Sequence, residues 1–169
     1  MLGTCEVRSW QASDVVSLVA HANSRKVWAN LRDRFPHPYT ARDGQTFVRH
    51  ARSMSPETFF AIAVNGAAAG GIGFVLQSDV DRVSAEVGYW LGEAFWRRGI
   101  TTEALGAVTR YAIENHGLTR LFALPFAHNT ASCRVLEKAG YVLEARLRRS
   151  AIKDGLIVDQ FQYAYIADG

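Results

Sequence analysis

Residues 89–104 read Y-W-L-G-E-A-F-W-R-R-G-I-T-T-E-A, and few folds accommodate such a run. Its first part continues a strand over residues 86–91, rich in β-formers. It breaks at Gly92, crosses a short loop and turns into a helix near Gly99. A strand–loop–helix junction leaves backbone N–H groups at the helix start without intrahelical partners. With the helix dipole behind them, they form an anion site. Gly99 permits close backbone approach, Arg97 and Arg98 add positive charge, and Thr101 and Thr102 add hydroxyl donors. A pyrophosphate suits that arrangement.

The remaining chain sorts by hydrophobic period. Residues 5–9 read as a short strand. Ser13 and Asp14 cap a helix carrying Val15, Val16, Leu18, Val19 and Ala22. A second helix is expected over residues 24–34, with Val27, Trp28 and Leu31 at helical spacing. The two prolines of F-P-H-P-Y-T, residues 35–40, make a stiff loop. Thr40 restarts a helix that holds Phe47, Val48 and Ala51. The period then changes. Residues 58–64 and 67–76 form a hairpin around Asn65-Gly66, and residues 83–91 follow as a third strand. After the loop, Ile100, Ala104, Val108, Tyr111 and Ala112 line a helix ending near Gly117. A buried-type strand over 118–124 and a helix over 129–139, stopped by Gly140, come next. Strands over 141–151 and 156–166 close the chain around Asp154-Gly155. In the last of these Phe161, Tyr163 and Tyr165 alternate with Gln160 and Gln162, which predicts one buried face. The fold class is mixed α/β (α+β) in one domain, residues 1–169, without the alternation of a doubly wound nucleotide fold.

At 169 residues the chain is long enough for a core that needs no staples. A net charge of +3 is compatible with an anionic cofactor, while no arginine-rich arm argues for nucleic acid. Cys5 and Cys133 stand in no metal-ligand or redox spacing, so a reducing, cytoplasmic setting and no metal are expected. No signal peptide is read at the start, and no apolar run spans a bilayer.

Two motifs now carry a resemblance. Residues 85–104, A-E-V-G-Y-W-L-G-E-A-F-W-R-R-G-I-T-T-E-A, resemble the cofactor motif of the GNAT superfamily of acetyl-CoA-dependent N-acetyltransferases. Residues 129–141, N-T-A-S-C-R-V-L-E-K-A-G-Y, resemble the N-x-x-S-x-x-x-L-E-K-x-G-aromatic signature of its RimJ/RimL-like branch, the ribosomal-protein N-terminal acetyltransferases. Arg97 and Thr101 depart from that branch, which usually has smaller residues there. The resemblance implies a single, mostly antiparallel mixed sheet splayed open at its centre, with helices on both faces. It implies that the pantetheine arm of acetyl-CoA pairs with the backbone of Tyr89, Trp90 and Leu91. The diphosphate would sit on the N–H groups of Arg98, Gly99, Ile100, Thr101 and Thr102, with Arg97 either covering the phosphates or facing water, and Asn129 would reach the pantetheine or hold a helix start. No metal is implied. Dimers are common in that branch, so a homodimer is compatible with it.

Acetyl transfer to an amine needs a neutral amine, a polarised thioester carbonyl and a proton for the departing thiolate. Glu86, a carboxylate in an otherwise apolar strand, is the candidate base; its alternative is an outward or ion-paired strand residue. Ser132 is the candidate acid, and the alternative for both Asn129 and Ser132 is helix capping. The branch's acceptor loop falls on His37 and Tyr39, which shape the substrate pocket, deprotonate the amine through His37, or form a rigid connector with Tyr39 on the core. The acceptor is a protein N-terminus or a small amine. The rival reading is a non-catalytic acyl-CoA-binding or regulatory module on the same fold.

Overall fold

The computed structural model describes residues 3–167. Its strands are β1 (Glu6–Ser9), β2 (Phe59–Val64), β3 (Ala67–Leu76), β4 (Ser84–Leu91), β5 (Arg120–Ala123), β6 (Val142–Lys153) and β7 (Leu156–Ile166). The helices are α1 (Val15–Ala22), α2 (Arg25–Trp28), α3 (Ala41–Ser53), α4 (Ile100–His116) and α5 (Thr130–Lys138). The strands form one seven-stranded mixed sheet in the order β1-β2-β3-β4-β5-β7-β6, with helices on both faces. Only β4 and β5 run parallel among the registers resolved; β1–β2, β2–β3, β5–β7 and β6–β7 are antiparallel. The β4–β5 ladder pairs Ser84 with Arg120, Ala85 with Leu121 and Glu86 with Phe122, and β4 then continues to Leu91.

The chain forms two compact units. The first takes residues up to 73 and Tyr89–Ala104. Its core gathers Leu18 and Ala22 of α1, Val48 and Ala51 of α3, Ala61 and Ala68 of the hairpin, and Trp10 and Tyr39. Thr40 caps α3 with a full capping box, its Oγ1 accepting from the Asp43 N–H while the Asp43 carboxylate accepts from the Thr40 N–H at 2.8 Å. A bidentate pair between Arg8 and the buried Asp14, both contacts 2.8 Å, ties β1 to the turn before α1.

The second unit takes Phe74–Gly88 and residues 105–167. Phe74, Leu105, Val108, Leu121 and Leu136 are its fully buried large side chains. Thr109 and Tyr141 share a buried 2.7 Å hydrogen bond between α4 and the entry to β6. Strand parity separates its two sheet faces. Leu121 opposes Tyr165 and Ala123 opposes Tyr163, and Tyr163 donates to Glu137 of α5 at 2.9 Å. That face therefore packs under the helices, and the face of Arg120 and Phe122 points away from them.

Two sequence expectations are corrected. The helix expected over residues 24–34 ends at Trp28. The Asn30 side-chain amide donates to the Lys26 carbonyl at 3.1 Å, the acceptor that the Asn30 backbone N–H would use in a continuing helix. The backbone instead tightens to Asn30 N–H on Val27 O and Leu31 N–H on Trp28 O. In β7, Gln160 is buried, at 6 % exposure, although its alternation with the aromatics predicts an outward side chain. Burial is tolerated because its amide donates to Leu124 O and accepts from Ser150 Oγ.

Candidate diphosphate loop and catalytic strand

The junction between β4 and α4 lies wholly within the first unit from Tyr89 onward. After β4 the chain makes a 3₁₀ turn over Glu93–Phe95 and then rises through Trp96, Arg97, Arg98 and Gly99, all exposed. Arg97 has φ 62° and Gly99 φ 78°, so the loop alternates into the left-handed region twice. Alternation of that kind is the backbone pattern on which anion-binding nests are built. Glycine takes the φ at 99 without strain, and a Cβ built there meets nothing within 4 Å, so the space above the loop is open. The first intrahelical bond of α4 runs from Glu103 N–H to Gly99 O. The N–H groups of Ile100, Thr101 and Thr102 therefore precede the helical ladder. Ile100 is a buried anchor and contributes backbone alone.

The supports of this loop are visible too. The Trp96 indole N–H donates to Leu91 O at 2.7 Å, pinning the loop back on the end of β4. That contact occupies the Leu91 carbonyl. Trp90 packs edge-on against Phe35 in the unit's core. The Glu103 carboxylate binds the N–H groups of Gly3 and Thr4 and the Thr4 hydroxyl, which hold its pKa below the ordinary value. Its charge sits in the first turn of α4, where the helix dipole favours it.

His37 and Tyr39 belong to the same unit. His37 is exposed and lies against Trp28, with ring centroids 5.9 Å apart. Tyr39 is buried, its backbone N–H donating to Asn23 Oδ1 and its ring against Phe35. Burial, and then the charge of Asp43, pushes its phenol up to about 12.

Glu86, Asn129 and Ser132 belong to the second unit. Glu86 opposes Phe122 in register, so it stands on the sheet face turned away from α5. Ser84, two residues earlier on that face, helps line a groove of about 260 Å³ with Gln77, Asp81, Arg120, Phe122 and Gln162. Beside it Arg120 makes a bidentate pair with Glu144, which raises the one pKa and lowers the other. Asn129 is the N-cap of α5, its side-chain oxygen accepting from the Ser132 N–H at 3.1 Å. Within this unit the fold gathers Asn129 and Ser132 at the start of α5, while Glu86 stands on β4 on the Phe122 side of the sheet. Cys133 is buried, and burial leads the causes that raise its thiol pKa. Among the described residues no three His, Cys, Asp or Glu side chains could hold a metal ion. Nor is any described helix long and apolar enough to cross a membrane. The ties made by Trp96 and Glu103 escape sequence reasoning; the only local signal is a Trp set between the strand's end and the arginines.

Known structures share this fold. The RimL ribosomal alpha-N-protein acetyltransferase, solved with coenzyme A, superposes with a TM-score of 0.85 at 22% identity, over 97% of this chain and 94% of that one. The microcin self-immunity acetyltransferase MccE, solved with acetyl-CoA and AMP, gives 0.84 at 20% identity, over 98% and 93%. A family model described as the acetyltransferase (GNAT) domain matches residues 5–142, and the chain belongs to that family. Among curated proteins it is similar to YoaA of Bacillus subtilis (strain 168), described as an uncharacterized N-acetyltransferase. They are 34% identical over 97 residues, 57% of this chain and 54% of that protein. The ribosomal-protein-serine acetyltransferase of Escherichia coli (strain K12) is 31% identical over 85 residues, 50% of this chain and 48% of that one. The chain thus spans about half the length of the curated relatives it matches.

Proposed function

We propose that the chain is a cytoplasmic N-acetyltransferase that moves the acetyl group of acetyl-CoA directly to a primary amine. The observation that carries this reading is the exposed loop from Arg97 to Gly99, twice left-handed and open above, leading into the unladdered N–H groups of α4. A diphosphate fits that donor set in charge and in shape. Acetyl-CoA, when bound, supplies the acetyl group as a thioester. Residues 98–102 and Arg97 hold the diphosphate, the backbone of Tyr89, Trp90 and Leu91 aligns the pantetheine arm, and Asn129 keeps its place as the cap of α5. Glu86 takes the amine proton, directly or through water, and Ser132 is the proposed proton donor to sulfur. His37, exposed beside Trp28, is the proposed acceptor-side contact, whereas Tyr39 supports that loop from the core. The acceptor is a protein N-terminus or a small amine; likeness to a ribosomal-protein-serine acetyltransferase favours the former.

A free-thiol assay with acetyl-CoA, run across short peptides and small amines, tests the reading. Thiol release that depends on the acceptor supports it. Calorimetric uptake of coenzyme A without release from any acceptor supports a non-catalytic acyl-CoA-binding module. Absence of uptake by folded protein removes both.

A further inference from the structure

The diphosphate loop is braced from the side by the corner between α1 and α2, within the first unit. His21, in the last turn of α1, lies so close to Gly92 that a Cβ on that glycine would come within 2.9 Å of its Cβ, Cγ and Nδ1. The His21 ring meets the Phe95 ring edge-on at 5.1 Å, and the Arg98 guanidinium lies over the same Phe95 ring at 5.6 Å. Glu93, two residues before Phe95, accepts from Ser24 Oγ at 2.5 Å and Lys26 Nζ at 2.8 Å. Ser24 Oγ also accepts from Val27 N–H, so one hydroxyl caps α2 and grips the loop. Beyond these contacts Arg97, Arg98 and Gly99 project into solvent.

We infer that Phe95, seated on His21, is a positioning residue that presents Arg98 to the cofactor's diphosphate, with the Glu93–Lys26 contact as a second brace. The inference rests on the proposed function, since it needs a diphosphate at this loop. An unsupported arginine samples many rotamers and loses that freedom on binding; a ring beneath its guanidinium removes part of the loss beforehand. The two braces are not equal. The Lys26–Glu93 pair is solvent-exposed, its side chains 72 % and 38 % accessible, and exposed pairs contribute little. The aromatic stack therefore dominates.

The test is steady-state kinetics of the full chain with acetyl-CoA and, in parallel, with S-acetyl-pantetheine, which lacks the diphosphate. Phe95→Ala is expected to raise the acetyl-CoA KM about fivefold at a kcat within about twofold of wild type. Phe95→Tyr, which keeps the ring, restores the KM. Lys26→Ala raises it by no more than about threefold. Turnover of S-acetyl-pantetheine by Phe95→Ala stays at the wild-type level. An unchanged acetyl-CoA KM in Phe95→Ala overturns the inference, as does a loss shared equally by kcat or by the truncated donor. If Phe95→Ala fails to fold, Phe95→Leu, which keeps apolar bulk without a ring face, decides by the same split. A wild type inactive with acetyl-CoA refutes the proposed function itself, a result told apart from these by its own control.

Discussion

Strand parity sets the side of β4 on which Glu86 stands. Its neighbours Ala85 and Val87 are buried while Ser84 and Gly88 are not, so the carboxylate shares the polar side of β4 rather than the helix-covered one. A base on that face has solvent access for the proton it takes, which a buried carboxylate lacks. Glu86→Gln keeps shape and hydrogen bonding but removes the base. Its expected effect is a fall in kcat of about a hundredfold and loss of the acidic limb of the pH–rate profile. An unchanged profile in a stopped thiol-release assay would exclude the role. At this scale much of the diphosphate loop is legible in the sequence, because R-R-G-I-T-T states its charges, its left-handed glycine and its helix start in six adjacent residues. The partners of that loop are not. His21 and Ser24 lie some seventy residues from the loop they brace, as the separations of 69 and 67 for the Glu93 contacts illustrate. No local period or turn signal encodes such contacts.

The elements were legible where caps and period agreed. Strand β3 matches its expected bounds, and α3 starts after Thr40 as its capping residues require. The failure at α2 came from a side chain competing for a backbone carbonyl, an event that apolar spacing does not register. Helix α5 raises the converse question, whether the motif residue Asn129 serves ligand or helix. Its side-chain oxygen is engaged by Ser132 N–H, so the cap is its structural task and any cofactor contact is additional. Asn129→Ala is therefore expected to lower stability by about 1 kcal/mol, and Asn129→Ser, a comparable cap, to recover most of it. Urea denaturation of the three proteins measures this. If Asn129→Ala matches wild type in midpoint and slope, α5 does not depend on its cap.

At the scale of the whole molecule, buried ionisable groups bound the pH range in which the chain is stable. On the acid side Asp14 is buried, which would raise its pKa. The bidentate Arg8 contacts and the Gln11 N–H outweigh that cost and leave it below its ordinary value of 3.8. A depressed folded pKa gives stability that is present above 3.8 and lost as pH falls through the folded value. On the alkaline side buried phenols in both units carry the opposite sign. Tyr39 and Tyr141 are each raised from 10.0 to about 12, mainly by burial. Their neutral forms are the ones the fold accepts. The associated stability is complete below pH 10 and is lost as pH rises toward 12, by about 2 to 3 kcal/mol for each phenol. Tyr163, also buried and bonded to the Glu137 carboxylate, shifts in the same direction. Of the chain's six tyrosines, three should thus resist ionisation in a spectrophotometric titration until the protein unfolds. Tyr39→Phe and Tyr141→Phe should each flatten the alkaline loss of stability between pH 10 and 12, with a larger cost at neutral pH for Tyr141, whose hydroxyl meets Thr109 in the core. If Tyr39 and Tyr141 titrate near 10 in folded protein, neither core is closed around its tyrosine as described.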